Sequence, residues 1–88
     1  MTIRVDVPQQ LRSYTKGATT ASVDGQDVES ALADLDRKFP GIRFRLIDEQ
    51  GRIREHMRVF ANGERVRRLD VKLKPGDQLQ IFGALSGG

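Results

Sequence analysis

The sequence predicts an α+β fold, a mixed sheet of about five strands with one main helix packed across one face. Three observations carry that expectation. Short runs alternating between polar and apolar residues lie near both ends of the chain. One stretch between them has apolar residues at helical spacing and stops at Pro40-Gly41. With 88 residues there is room for one small core only.

The elements follow in order. Thr2 to Val7 alternates, so Ile3, Val5 and Val7 face inward while Arg4 and Asp6 face out. Pro8 ends the run because it lacks the N–H a ladder needs. Residues 9–19 are polar and read as a loose loop, pinned by Leu11 and Tyr14. Ala21 and Val23 alternate with Ser22 and Asp24, a second strand that pairs antiparallel with the first. Val28, Ala31, Leu32, Leu35 and Phe39 share one helical face, most simply a core face. Asp27 is placed to cap that helix. Glu29 in its first turn and Arg37-Lys38 in its last suit the helix dipole.

Ile42 to Leu46 fits a strand by alternation and a helical turn by the spacing of Ile42 and Leu46. It is taken as irregular or a short edge. Asp48 to Gly51 is a turn, and Ile53 is a lone apolar residue among charges. His56 to Ala61 reads as a strand, Asn62-Gly63 as a type I′ hairpin turn, and Glu64 to Leu69 as the return strand. Lys74-Pro75-Gly76-Asp77 is another turn. The last strand carries Leu79 and Ile81 inward with Gln78, Gln80 and Phe82 outward. If the first and last strands pair side by side in the centre, the arrangement is a β-grasp.

Composition excludes several classes of function. There is no cysteine, so there is no thiol nucleophile, disulfide or zinc-thiolate set. His56 is the only histidine and has no partner for a triad or a metal site, so it reads as a surface residue. No apolar run approaches a membrane span and no signal segment leads the chain, which points to the cytoplasm and away from membranes. Net charge is +3. Arg43, Arg45, Arg52, Arg54, Arg58, Arg65, Arg67 and Arg68, with Phe44 and Phe60 among them, could grip a single-stranded RNA by charge and stacking. Interspersed acids keep the excess charge small, so a small basic RNA-binding domain ranks below the other readings. The same arginines could dock an acidic protein.

The chain ends Ala84-Leu85-Ser86-Gly87-Gly88. Two terminal glycines add nothing to a core, because glycine loses the most backbone entropy on ordering. They do give a slender strand, bare of side chains, with a carboxylate at its tip. A frayed end or a remnant of cloning would look alike as a dipeptide. The strand running almost into the glycines argues for a mounted tail. Residues 1–83 are therefore expected to form the domain and 84–88 a flexible tail.

These features together resemble the ubiquitin-like sulfur carriers of the MoaD/ThiS family, and most of all their CysO-like branch. The likeness covers nearly the whole chain. It is carried by Val7-Pro8 with Leu11-Arg12, by the capped helix running into Phe39-Pro40-Gly41-Ile42, and by Val59-Phe60-Ala61-Asn62-Gly63-Glu64. Pro75-Gly76-Asp77 and the closing Ile81 to Gly88 complete it.

The resemblance implies a carrier and not an enzyme, with no cofactor held permanently. A ubiquitin-activating-type partner would use MgATP to adenylate the Gly88 carboxylate. Sulfide or a persulfide from a sulfurtransferase would displace AMP and leave a thiocarboxylate. A sulfur-accepting biosynthetic enzyme would then take the sulfur, toward cysteine, a thiosugar, molybdopterin or another sulfur metabolite. Gly87, Ser86, Leu85 and Ala84 would present the tail in the partner's channel. Phe82 falls where related carriers set an aromatic residue against the activating enzyme, with Phe60 and Pro8 widening that patch. The likeness also allows a zinc metalloprotease that trims the tail, and a carrier that is monomeric by itself. A ubiquitin-like modifier joined to lysines through Gly88 is the alternative, since both begin with the same adenylate. This chain departs from the commoner pattern at Leu85 and Ser86, at Gly83 where a proline often stands, and at Arg65 where some carriers are apolar.

Overall fold

Alternation at the N-terminus builds the strand β1, Ile3–Asp6, with Ile3 and Val5 buried and Arg4 exposed. The computed structural model describes residues 2–83. After Pro8 the chain makes a 3-10 turn at Gln9–Leu11 and returns as β2, Thr20–Val23. β1 and β2 pair antiparallel, Val5 facing Ala21 and Ile3 facing Val23. The segment between them is tighter than the loose loop expected. Leu11 is buried, Tyr14 packs on the core, and the Thr15 hydroxyl donates to the Ala18 carbonyl at 2.8 Å, which satisfies a buried polar group.

The helix α1 runs Val28–Lys38 with Asp27 as its N-cap. The Asp27 carboxylate accepts from the Ser30 backbone N–H at 2.8 Å and from the Ser30 hydroxyl at 2.7 Å. The Ser30 oxygen accepts in turn from the Asp27 N–H, closing a capping box. The next orphan amides are met from outside the helix. Val28 donates to the Val71 carbonyl and Glu29 to the Leu69 carbonyl. That requirement explains a correction. The return strand β4 spans only Glu64–Val66, not Glu64 to Leu69, because the chain beyond it leaves the sheet to serve the helix start. Val28, Ala31, Leu32 and Leu35 are fully buried against the sheet.

A second correction concerns residues 42–46, which form a short helix α2, Ile42–Leu46, and no edge strand. Its start is capped at a distance: Asp36 on α1 accepts from the N–H groups of Gly41 at 3.0 Å and Arg43 at 3.1 Å. Gly41 takes φ 99°, a left-handed turn that suits glycine. Ile42 and Leu46 are buried one turn apart, while Phe44 points out at 57% exposure. The Arg43 guanidinium grips Glu29 through two nitrogens at 3.0 and 2.7 Å and ties α2 to α1.

β3, Met57–Ala61, turns through Asn62 and Gly63 into β4. Both turn residues have positive φ, 51° and 87°, as the Asn-Gly pair predicts. β5, Gln78–Gly83, closes the sheet in the order β2-β1-β5-β3-β4. β1 and β5 lie parallel in the middle, and β3 pairs antiparallel with β5. The helices cover one face, so the chain adopts the β-grasp arrangement. Among the described residues, no helix is long and apolar enough to cross a membrane.

Candidate functional site

β5 leads to residues 84–88, and it is held on both sides. Val5 faces Leu79 on β1, and Val59 faces Ile81 on β3. Leu79 and Ile81 are buried, so the strand is fixed by packing as well as by its ladders. The turn before it is also fixed: the Asp77 carboxylate accepts from the Lys74 N–H at 2.8 Å, and this bond holds its pKa below the usual carboxylate range. The tail residues singled out in the sequence, Ala84, Leu85, Ser86, Gly87 and Gly88, lie outside the described residues.

The face of the sheet away from α1 carries Phe60 and Phe82. Phe82 is 51% exposed, as the alternation of β5 requires. Its ring meets the half-buried Phe60 edge to face, with centroids 5.5 Å apart and an interplanar angle of 81°. Pro8 and Phe82 line one open groove of about 480 Å³, together with Gln10 and Gly83. The fold therefore gathers Phe82, Phe60 and Pro8 on one patch beside the last described residue. A patch with an aromatic centre and a polar margin suits protein docking.

One residue of the patch, Gln10, escaped the sequence analysis, and another, Arg58, was named only among the cluster of arginines and not with the aromatic residues. Gln10 lies over the α-carbon of Gly83, so a Cβ there would fall 2.7 Å from the Gln10 Cδ. Nothing in the sequence links these two positions. Arg58 stands directly opposite Phe82 across the β3–β5 pair. Its signal was present, since it is two residues from Phe60 on the same strand face, but only the strand register turns that spacing into a neighbour.

His56 is exposed at the end of the turn before β3, beside Phe44 and Arg54. The Arg54 guanidinium sits 4.6 Å from the Phe44 ring centroid. Among the described residues, no three carboxylates and histidines come close enough to hold a metal ion.

The sequence pattern of the ThiS family matches residues 5–88. The sulfur carrier protein CysO of Mycobacterium tuberculosis is 30% identical over 93 residues, covering 100% of both chains. Small archaeal modifier protein 3 of Haloferax volcanii is 34% identical over 68 residues, 74% of this chain and 73% of that one. Among solved structures, a chain of the BexX/CysO complex of Amycolatopsis orientalis superposes with a TM-score of 0.91 at 31% identity, covering 98% of this chain and 99% of that one.

Proposed function

From the premise that the chain belongs to the ThiS family, we propose that it is a sulfur carrier of the CysO type, loaded at the Gly88 carboxylate. It is a carrier and not a catalyst. The observation that carries this reading is the family match through to Gly88, on a chain whose tail follows the central strand and its exposed Phe82.

The chemistry needs a partner. A carboxylate is a poor electrophile. A Gly88 oxygen attacks the α-phosphorus of ATP and expels pyrophosphate, giving an acyl adenylate. Hydrosulfide then adds to the acyl carbon and AMP departs, leaving the thiocarboxylate. If a persulfide supplies the sulfur, the acyl disulfide formed must be cleaved by a thiol. MgATP belongs to the adenylating partner. The carrier's own residues supply docking through Phe82, Phe60 and Pro8, and reach through Ala84 to Gly87.

The test is direct. Incubation with an adenylating enzyme, ATP and sulfide is expected to replace one oxygen by sulfur in the intact mass, with the change located at Gly88. An unchanged mass with an enzyme that activates its own carrier would remove the reading. The likeness to an archaeal modifier protein supports a second use, conjugation of Gly88 to lysines. That use predicts higher-mass covalent adducts of this chain in cell extract; a carrier alone gives none.

A further inference from the structure

We infer that the arginines bordering the aromatic patch on its β3–β4 side select a carboxylate-bearing protein surface, that of the adenylating partner; the inference builds on the carrier reading. Arg58 faces Phe82 across one strand pair and Arg65 faces Phe60 across the next. Arg58, Arg65 and Arg67 line a recess of about 350 Å³ that continues to Arg54. The register thus sets an arginine at the strand position next to each of the two aromatic residues.

Other arginines in the fold are either paired with a carboxylate or, like Arg12, Arg45 and Arg54, donate singly to an uncharged oxygen away from this recess or at its edge. Arg37 is paired with Asp34 at 2.6 Å, Arg43 with Glu29 at 2.7 Å and Arg68 with Asp70 at 2.6 Å. None of Arg58, Arg65 and Arg67 forms an ion pair with a described residue. Glu55 lines the recess, but only its backbone carbonyl engages Arg58, at 2.6 Å. A second bond from the same nitrogen to the Met57 carbonyl, at 3.1 Å, fixes the Arg58 head further. Arg65 is crowded: burial first, then Arg67 and Arg58, pull its guanidinium pKa down. Like charges held together without a counter-charge favour an incoming anionic surface.

The occupant follows from the patch as a whole. Phe82 asks for an apolar pocket, and the arginines ask for carboxylates on one side of that pocket. The other side of the patch is less basic, with Pro8, Gln10 and Asp6 around the groove, Arg4 paired to Asp6 at 3.2 Å and a single arginine without a carboxylate partner, Arg12, whose Nε donates to the Val7 carbonyl at 3.2 Å. A nucleic acid fits less well. The rings meet at 81° and so present no pair of parallel faces for stacked bases. Charge against charge chiefly sets encounter rate and partner choice.

The experiment uses the ¹⁵N-labelled full chain and a probe free of any partner enzyme. Titration with hexaglutamate is expected to shift the amides of Arg58, Phe60, Arg65, Arg67 and Phe82. A variant with Arg58→Gln, Arg65→Gln and Arg67→Gln, shown to be folded by its melting curve, should bind the peptide about tenfold more weakly, the scale of a few uncompensated charges. A control with Arg37→Gln and Arg68→Gln should bind as the parent does. Shifts spread evenly over exposed arginines, or equal binding by both variants, would overturn the inference. So would tighter binding of octauridylate on the same residues. Because hexaglutamate binding does not require Gly88 chemistry, a failure of thiocarboxylate formation would strike the carrier reading and leave this result to stand or fall separately.

Discussion

Replacing Phe82 with alanine separates docking from folding. A phenylalanine side chain presents about 200 Å², and at 51% exposure about half of that is free to be covered by a partner. Covering ~100 Å² of apolar surface contributes about 2.5 kcal/mol at ~25 cal/mol per Å². That corresponds to about a 60-fold loss of kcat/KM for activation in Phe82→Ala. The ring's buried half and its edge contact with Phe60 also support the fold, so the variant should lose about 2 kcal/mol of stability and melt roughly 10 °C lower. Pyrophosphate exchange catalysed by the adenylating enzyme reads the first effect, and a thermal melt reads the second. Both are measured where circular dichroism shows parent and variant folded. Phe82→Leu, which keeps an apolar side chain, should recover much of the loss. Unchanged kcat/KM in a folded Phe82→Ala protein would refute the reasoning, as would a loss fully explained by the unfolded fraction.

Other expectations concern the scaffold and the tail. Asp27→Ala removes a capping carboxylate and should lower stability by about 1 kcal/mol in a denaturant titration; Asp27→Asn should retain most of it. Gly25→Ala would place a Cβ 2.6 Å from the Ala31 backbone nitrogen, so its melting temperature should fall, whereas Gly25→Ser should fare no better. Adding residues after Gly88 should abolish activation until they are removed, as read by intact mass. Stability should be flat near neutrality and fall below about pH 4, the unfolded carboxylate range. Asp34, held down first by the Asp24 N–H, and Asp77, held down first by the Lys74 N–H, both titrate below that value in the folded chain. Their contribution is present above the unfolded pKa and lost as pH falls through the folded one. A melting temperature that rises on acidification would contradict these bonds.

What the sequence shows depends on how local the cause is. α1 was legible because its stripe, its cap at Asp27 and its stop at Pro40-Gly41 are contiguous. The outward turn of Phe82 was legible because a strand has period two. α2 was not, because the group that starts it, Asp36, belongs to another helix and the spacing of five residues suits two structures equally. β4 was overestimated at Leu69, whose carbonyl answers a need at residue 29. The contact of Gln10 with Gly83 joins residues that no periodicity relates. In the candidate site, the aromatic members could be named from the residues and the resemblance, and the arginines as a cluster, whereas the place of Arg58 and Arg65 beside the rings required the register of three strands.

The placement of β5 bears on biosynthesis. The strand at the middle of the sheet is made after the other four, and before it arrives β1–β2 and β3–β4 share no strand neighbour. A nascent or truncated chain that stops short of Gln78 lacks the strand that joins its two hairpins into one sheet, so it should be more open to proteolysis than the whole chain. Every molecule that reaches the native state has therefore been translated through β5, so a chain cut short before Gln78 presents no Phe82 patch to a downstream enzyme.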